Sequence, residues 1–365
     1  MINRKISVLM SVYNNSIDYF KPAIKSIQNQ TYKNWEMIIV NDGDVKNDGD
    51  YKKCIDELSD KRIIYISNEV NQGISACLNQ ALKIATGEFI AKMDSDDISL
   101  PKRFEKQVEY FNSHPQSNVL GTYAIAFGDV SDYLIDYNNY SQKMRSILLL
   151  FRNSGLVHPS VMIRRGFLDE NKIRYDEHFR KAQDYRLWVE CTKYSRIDCL
   201  KEILFLYRRH FSQISTSGKS GQDNYRDQIR ILQLRNLIDT FSESEKELHL
   251  RLCNRNNNVS DVQLLYNWCK QLDEANREKN IYDHFLFKGL LFSESLTAVC
   301  KLKKELRFGS FFKNCLQFIS IGSMYVLIYS KCINISNNIK KKVLPIYRKR
   351  KIHDINMYIH QLSEI

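Results

Sequence analysis

Residues 86–105 read TGEFIAKMDSDDISLPKRFE, and this stretch decides both the fold and the site. A short apolar strand is predicted over 89–93. It runs directly into three carboxylates, Asp94, Asp96 and Asp97. Because neighbouring carboxylates repel one another, such a strand end needs a cation or several donors, and oxygen ligands suit Mg²⁺ or Mn²⁺ carrying a diphosphate. The alternative is a solvated acidic turn in which Ser99 caps a helix that starts near Pro101.

Strand-like and helix-like patterns alternate through the first hundred residues. Strands are predicted over 6–12, 35–40, 63–67 and 89–93. Helices are predicted over 19–28, 51–58 and 74–85, followed by another over 101–112. Thr86 and Gly87 are expected to cap the third helix. This order predicts an α/β fold with a mostly parallel sheet covered by helices on both faces.

Polar residues follow three of the predicted strands. Tyr13 and Asn14 follow the first, Asn41-Asp42-Gly43 the second, and the three aspartates the fourth. Ligands of open parallel sheets bind outside the carboxyl ends of the strands. Neither the Gly-x-Gly-x-x-Gly fingerprint nor a phosphate-binding P-loop motif occurs, so a dinucleotide site and a Walker-type site are excluded. A metal on the aspartates would hold the phosphates instead.

The residue pattern of the chain changes at residues 218–221, which read GKSG. From 222 to 304 the pattern is mostly helical, polar and poor in strands. We therefore predict an α/β domain over 1–217 and a helical, basic C-terminal region over 218–365. The uncharged run at 314–330 is shorter than the roughly 20 apolar residues of a membrane span, which favours a buried or interfacial helix.

The net charge of +12 belongs mainly to the C-terminal tail. Between residues 306 and 353 there are ten basic residues and no acidic one. This tail and the uncharged run favour contact with an anionic membrane surface, where each basic residue contributes about 1 kcal/mol. The alternative is a core helix with a solvated basic end. No nucleic-acid partner is expected, because aromatic residues are not interleaved with the basic ones.

The cysteines and the N-terminus indicate the compartment. Nine cysteines are scattered without a Cys-x-x-Cys pair, which is typical of reduced thiols and excludes a zinc ribbon or redox motif. The apolar run in residues 1–13 is too brief for a signal peptide and is predicted to be the first strand. We expect a cytoplasmic protein, attached peripherally to the inner face of the cell membrane.

Seven short motifs occur along the chain. They are SVLMSVYN (7–14), EMIIVNDG (36–43), NQG with LN (71–73, 78–79), GEFIAKMDSDD (87–97), HPSVM (158–162), QDYRLW (183–188) and YRRH (207–210). In this order they resemble the inverting family-2 glycosyltransferases, especially bacterial members that build surface polysaccharides. The resemblance covers roughly residues 4–216. It implies a GT-A fold, a Rossmann-like and mostly parallel sheet flanked by helices, here followed by the C-terminal helical region.

On the donor side, the resemblance assigns roles to residues at the strand ends. It implies that Asp42 accepts a hydrogen bond from the donor base, usually uracil, although an Asx turn is an alternative. Ser11 and Tyr13 match positions that line the nucleoside pocket, Tyr13 as a stacking surface or as an ordinary core residue.

Asp94-Ser95-Asp96 matches the family's DXD motif. The resemblance implies that Asp94 faces the ribose or the metal, and that Asp96 ligates the Mn²⁺ or Mg²⁺ bridging the donor diphosphate. Asp97 is expected only to accept hydrogen bonds from local backbone amides. Arg208 or Arg209 is expected to contact the diphosphate, and His210 to approach the metal.

On the acceptor side, the resemblance identifies Asp184 as the catalytic base. An inverting transfer needs one carboxylate to take the proton of the acceptor hydroxyl, a contribution of roughly 10²–10⁴-fold. The alternative is an acidic residue on a helix surface. His158 and Trp188 are expected at the acceptor site, with Trp188 beneath an acceptor sugar. For His158 the alternative is a purely structural role.

Three positions depart from the family pattern. Many relatives carry Glu where this chain has Gln183, and an acidic residue where it has Arg186. Leu78 stands where many relatives carry a basic residue, which puts diphosphate contacts from that helix in doubt.

The predicted function is transfer of a hexosyl or N-acetylhexosaminyl group from a nucleotide-sugar, most simply a UDP-sugar. The expected acceptor is a glycan or lipid-linked glycan in capsule, O-antigen or lipooligosaccharide synthesis. One alternative is a degenerate transferase that acts as a glycan-binding scaffold, which Gln183 and Arg186 leave open. The other is a metal-dependent sugar nucleotidyltransferase, whose usual Gly-rich basic loop is missing after the first strand.

Overall fold

The computed structural model describes residues 4–129, 133–135, 141–153, 155–210, 219–254, 262–300, 358, 361 and 362. The chain divides into two compact units. The first comprises Met1–Asn138, Gly155–Gln222 and Arg350–Ile365, and the second comprises Asn139–Ser154 and Asp223–Lys349. The division predicted at 217/218 differs from these units in three respects: it placed 139–154 in the first domain, and 218–222 and 350–365 in the second.

A nine-stranded sheet forms the centre of the first unit. Its strands are β1 (Ile6–Val12), β2 (Trp35–Asn41), β3 (Ile63–Ser67), β4 (Phe89–Lys92), β5 (Ile98–Ser99), β6 (Val119–Gly128), β7 (Tyr133–Ile135), β8 (Met162–Arg164) and β9 (Ile197–Arg209). Their order in the sheet is β3-β2-β1-β4-β8-β6-β9-β5, and β7 pairs with β6. The predicted α/β fold with a central sheet is confirmed.

The sheet is parallel in its N-terminal half and mixed beyond it. Strands β3, β2, β1 and β4 are parallel neighbours, as predicted. Strand β8 pairs antiparallel with β4 and β6, β5 pairs antiparallel with β9, and β6 pairs parallel with β9. The mixed half was not predicted, because β5, β7 and β8 are only two or three residues long and show no periodicity.

Helices cover the sheet of the first unit. They are α1 (Ile17–Gln28), α2 (Asp48–Leu58), α3 (Ile74–Ile84), α4 (Arg103–Ser113), α6 (Arg165–Glu170) and α7 (Gln183–Tyr194), with a 3₁₀ turn at His158–Ser160; the short helix α5 (Gln142–Leu148) belongs to the second unit. Strand β2 is buried along its whole length, as expected for a parallel strand packed on both faces.

Two local expectations were wrong. Helix α3 is capped by Ala85 in an extended conformation, not by Thr86 and Gly87. Gly87 instead lies against β1, where a built Cβ would sit 2.5 Å from the Ser7 nitrogen. Ser99 does not cap α4, because it is buried in β5 and its amide donates to Ser26 Oγ at 3.1 Å.

The second unit is helical in the described residues. Helices α8 (Lys219–Leu237), α9 (Glu243–Asn254), α10 (Val262–Lys279) and α11 (His284–Cys300) follow the sheet in the chain. From Asp223 onward they pack with α5 around a core that includes Phe151, Leu234, Trp268 and Phe287. The predicted helical pattern of 222–304 agrees with these elements over the described residues 222–254 and 262–300.

Two expectations concern residues outside the described ones. The uncharged run at 314–330 and the basic tail at 306–353 both lie there. Among the helices that are described, none combines the length and the apolar character needed to cross a membrane.

Candidate donor and acceptor site

The sheet brings three predicted polar clusters to one edge. The amide of Asp42 donates to the Val12 carbonyl at 2.9 Å, and that of Met93 donates to Leu9 at 3.1 Å. The ends of β1 and β2 are therefore level, whereas β4 ends at Lys92, opposite Leu9, so that the aspartates follow it at the same edge. The Asn15 side chain donates to the Ser95 carbonyl at 2.7 Å and so ties the loop after β1 to the aspartates.

Asp42 is buried and binds a neighbouring loop. Its carboxylate accepts from the Gln72 amide at 2.7 Å and from the Gly73 amide at 3.1 Å, just before α3 begins. Gly43 has a φ of +75° and lies directly against the backbone of Val70. Asp42 thus fixes the loop that precedes α3, a contact that neither the base-binding role nor the Asx turn anticipated.

The other two predicted nucleoside residues lie at the end of β1. Ser11 is half-buried in register with Val40 of β2. Tyr13 is 55 % exposed, so it is not a core residue and its ring can serve as a stacking surface.

The three aspartates after β4 lie close together. One carboxylate oxygen of each lies within 4.8 Å of the others, the only such acidic, histidine or cysteine group in the described part of the chain. Asp97 is completely buried. Its Oδ1 accepts from the Arg208 amide at 2.7 Å, whereas its Oδ2 is buried without a hydrogen-bond partner.

Two buried cations lie beside this cluster. The side chain of Lys92 is 4 % exposed, forms an ion pair with Asp94 and donates to the Met93 carbonyl at 2.8 Å. Arg103 is fully buried and donates to the carbonyls of Lys92 at 2.9 Å and Val161 at 3.2 Å. Burial lowers the pKa of Arg103 to about 9, although Asp97 and Asp94 oppose this shift, so it stays cationic at neutral pH.

The pKa values of two of the aspartates are shifted in opposite directions. Burial alone would raise the pKa of Asp94, but the charge of Lys92 and the hydrogen bond from its ammonium group hold it below the ordinary value. Burial, and then the charges of Asp96 and Asp94, raise the pKa of Asp97 well above its ordinary value. The cluster therefore stores repulsion that a divalent cation would relieve.

Arg208 and His210 fasten the aspartate loop to the end of β9. The Nε of Arg208 donates to the Asp96 carbonyl at 2.7 Å, and its guanidinium lies between the rings of Tyr19 and Phe127 at 4.4 and 4.5 Å. His210 Nε2 lies 3.0 Å from Asp96 Oδ2. The structure thus brings His210 to the predicted metal ligand, and gives Arg208 a clamping contact that the sequence did not indicate.

Asp184 lies in the first turn of α7 and is half-buried. Ala182, the residue before the helix, has a φ of +58°, a left-handed conformation that is strained for a residue with a side chain. The charge of Asp184 acts on His158, whose pKa falls to about 4 because of burial and the nearby Lys92, while Asp184 and Asp94 partly oppose that fall. His158 is therefore neutral at physiological pH.

His158 is held by two aromatic side chains. Its Nε2 lies 2.9 Å from the Tyr175 hydroxyl, and its ring meets the edge of Trp188 with centroids 5.9 Å apart. Trp188 is completely buried, so a sugar cannot stack on its ring as expected. Gly155 leaves room for it, since a built Cβ there would sit 2.0 Å from Trp188 Cδ1.

Two of the three departures from the family pattern, Arg186 and Leu78, have structural explanations. Arg186 binds Asp176 at 3.2 Å and also pairs with Glu190, one helical turn further on. Leu78 is completely buried in α3, so no charged side chain could occupy its position without a partner. Arg180 lies over Gly73 instead, with its Cγ 3.6 Å from a built Cβ, and places a cation at the start of α3.

Lys92, Arg103 and Tyr175 are site residues that sequence reasoning missed. A signal for Lys92 was present, because a lysine interrupts an otherwise apolar strand. Arg103 and Gln107 share the buried face of α4 with Phe104 and Val108, and that pattern was also readable. Tyr175 lies outside the helices and strands, and no local sequence pattern marked it as a site residue.

Comparisons with known proteins identify the relatives of this chain. Residues 7–171 match the family model described as Glycosyl transferase family 2. An uncharacterized glycosyltransferase of Methanocaldococcus jannaschii is 37% identical over 207 residues, which cover 56% of this chain and 70% of that protein. The Escherichia coli enzyme WfgD, a UDP-Glc:alpha-D-GlcNAc-diphosphoundecaprenol beta-1,3-glucosyltransferase, is 29% identical over 224 residues, 60% of this chain and 81% of the enzyme.

Among solved structures, Staphylococcus aureus TarS 1–349 in complex with UDP-GlcNAc has a similar fold. The TM-score is 0.52 at 18% sequence identity, with 80% of this chain and 88% of TarS 1–349 covered.

Proposed function

Because the chain belongs to glycosyl transferase family 2, we propose that it transfers a sugar with inversion from a UDP-sugar to a glycan or lipid-linked glycan acceptor. The observation that carries this proposal is the cluster of Asp94, Asp96 and Asp97, which lies at the same edge of the sheet as Asp42. The buried Asp97 oxygen that lacks a hydrogen-bond partner and the neighbouring Asp96 carboxylate suit a divalent cation that carries a diphosphate.

The donor side of the proposal rests on the strand ends. Tyr13 stacks on the base, Asp42 accepts from it, and Ser11 lines the same pocket. Asp42 has lone pairs left beyond its two backbone contacts, so base binding and loop fixation are compatible. UDP is the proposed nucleotide because TarS binds UDP-GlcNAc and WfgD uses UDP-Glc.

The residues fit a divalent cation, Mn²⁺ or Mg²⁺. Asp96, Asp97 and His210 would hold it, and the buried Asp97 Oδ2 without a partner is the observation that supports the fit. When bound, such an ion neutralises the charge of the departing nucleoside diphosphate. Arg208 holds the Asp96 carbonyl and thereby keeps the loop in place, and Arg180 and Arg209 are the cations proposed for the diphosphate.

On the acceptor side, Asp184 accepts the proton of the attacking hydroxyl. The bond from that oxygen to the anomeric carbon forms as the bond to the diphosphate breaks, on opposite faces of the sugar, so an α-linked donor gives a β-linked product. Neutral His158, oriented by Tyr175, contacts the acceptor, and Trp188 supports His158 from beneath. The strain at Ala182 is consistent with a precisely placed base.

We extend the proposal to the acceptor and the location. WfgD acts on a diphosphoundecaprenol-linked GlcNAc, which supports a lipid-linked acceptor at the inner face of the cell membrane, as in capsule, O-antigen or lipooligosaccharide synthesis. The transferase domain is then 1–217, and the basic region within 218–365 contacts the anionic membrane surface.

The test is a transfer assay with Asp184→Asn. UDP-Glc and UDP-GlcNAc are offered with Mn²⁺ and GlcNAc-diphosphoundecaprenol, and acceptor-dependent UDP release is measured. Asp184→Asn should lower kcat by roughly 10²–10⁴ while UDP affinity stays within about two-fold. The matched control is Asp56→Asn on the exposed face of α2, which should leave both unchanged. Unchanged turnover of Asp184→Asn would remove Asp184 as the base, and no transfer with any acceptor would favour the glycan-binding alternative.

A further inference from the structure

A lysine at position 92 is energetically unfavourable, because its side chain is buried. Its side chain is 4 % exposed at the end of a strand that is otherwise apolar. Burying an ammonium group is unfavourable unless it is paired and hydrogen-bonded. The only acidic partner recorded for it in the described chain is Asp94, and its other contact is the Met93 carbonyl at 2.8 Å.

The second buried cation does not share this role. Arg103 donates to the carbonyls of Lys92 and Val161 and to Gln107 Oε1 at 3.2 Å. It forms no ion pair with any described carboxylate. Arg103 therefore supports the backbone beneath the cluster, and Lys92 is the cation that touches an aspartate directly.

The three aspartates consequently differ in what they can bind. Asp94 forms an ion pair with the Lys92 side chain. Asp96 faces His210, a side chain that can itself ligate a metal, at 3.0 Å. Asp97 keeps one buried oxygen without a partner. Since a cation and an ammonium group repel each other, a divalent ion near Lys92 is disfavoured on electrostatic grounds.

We propose that Lys92 is a positioning residue that keeps Asp94 from ligating the divalent cation, so that the metal binds to Asp96 and Asp97 and Asp94 remains directed at the donor. The inference rests on the proposed function and specifies how its acidic residues divide their roles. It also explains why a lysine occupies a buried strand position where an apolar residue would cost less.

The proposal predicts a gain of metal affinity from the loss of a buried charge. In Lys92→Met, Asp94 becomes a free carboxylate next to the other two aspartates. Mn²⁺ should then bind the nucleotide-free protein at least about ten-fold more tightly than it binds the wild type, because one cation is removed and one ligand is added. A purely structural role for Lys92 would weaken Mn²⁺ binding or leave it unchanged.

The measurement is a Mn²⁺ titration of the full chain followed by electron paramagnetic resonance, without nucleotide. Lys92→Arg, which keeps the charge, should restore the wild-type affinity. The double variant Lys92→Met/Asp94→Asn should return to the wild-type value, since the freed ligand is gone. Lys102→Met removes an exposed lysine near the same loop and should change the affinity by less than two-fold.

Single aspartate variants keep the test decisive even where Lys92→Met does not fold. Asp94→Asn should weaken Mn²⁺ binding by no more than about ten-fold, because the Lys92 ammonium group then lacks its carboxylate partner, and Asp96→Asn should abolish binding. Equal losses in these two variants, an unchanged affinity in folded Lys92→Met, or no Mn²⁺ binding in any variant would overturn the inference. Because the titration needs no donor or turnover, its failure is distinct from failure of sugar transfer, which the Asp184→Asn assay reports.

Discussion

Replacing Asp42 by Asn separates two roles that the structure places on one side chain. Asp42 is 4 % exposed; its Oδ1 accepts from the amides of Gln72 and Gly73, and its Oδ2 accepts from the Gly73 amide as well. In Asp42→Asn the Oδ1 atom can still accept from both amides, but Oδ2 is replaced by an amide NH₂ group, which cannot accept from the Gly73 N–H. The bond from Gly73 to Oδ2 is lost together with the charge that strengthens the remaining bonds, and the free energy of unfolding should fall by roughly 1.5–3 kcal/mol.

The loop cannot easily move to relieve this loss. Gly43 lies against the Val70 backbone, where even a built Cβ would come within 2.2 Å, so the two loops are already in contact. Urea unfolding followed by circular dichroism measures the stability change. Isothermal titration calorimetry with UDP and Mn²⁺ measures the other role, and Asp42→Asn should weaken UDP binding by at least about ten-fold.

Asp44→Asn is the matched control. Asp44 is also buried in this loop and accepts from the Asn14 amide at 2.7 Å and the Tyr51 hydroxyl at 3.0 Å, but has no recorded contact with residues 70–73. It should lose comparable stability and keep UDP affinity within about two-fold. Wild-type stability in Asp42→Asn would refute the hydrogen-bond argument, and equal loss of UDP affinity in both variants would refute a direct contact with the base.

Two further predictions concern stability. His249 is fully buried, and burial lowers its pKa to about 4. Between pH 6.5 and 4 the unfolded chain therefore binds more protons than the folded one. The free energy of unfolding should fall as the pH falls through this range, by about 1.4 kcal/mol per pH unit. Urea unfolding at pH 7 and 5 should show that His249→Phe loses this dependence, and parallel pH slopes would contradict it. Gly87→Ala should lower the free energy of unfolding by about 1–3 kcal/mol or more, because the backbone of Ser7 blocks the new methyl group. Gly49→Ala, in open space within α2, should raise the free energy of unfolding by about 0.5–1 kcal/mol. Equal melting temperatures of the two variants would contradict both expectations.

The N-terminal half of the fold could be predicted because its signals are local and strong. Strand β1 was predicted with its observed bounds, and the face of α1 that holds Phe20, Ala23, Ile24 and Ile27 is buried as its spacing predicts. Continuous apolar runs such as β2 indicate strands packed on both faces.

The later strands depend on partners distant in sequence. Strand β9 alone spans Ile197–Arg209 and is paired along its length with β6, with bulges near Tyr123, yet its own pattern alternates poorly. Two-residue β5 exists only because it pairs with Leu206 and Phe205. Such elements follow from tertiary contacts and leave little trace in a single sequence.

The candidate site was only partly readable for the same reason. Asp94, Asp96 and Asp97 are adjacent in sequence, and so their proximity was predictable. The contact of His210 with Asp96 joins residues 114 positions apart and was anticipated only through the family motif. The ion pair of Lys92 with Asp94 is local, but its meaning depends on burial that the sequence does not state.

The central claim is a metal-dependent nucleotide site at the aspartate cluster. The most direct measurement is a thermal-shift comparison of UDP, GDP, CDP and TDP, each with Mn²⁺ and with EDTA, on the wild type and on Asp96→Asn. We predict that UDP stabilises the wild type only when Mn²⁺ is present, and that Asp96→Asn loses this stabilisation. Stabilisation that is indifferent to Mn²⁺, or no shift with any nucleotide at saturating concentration, would contradict the account.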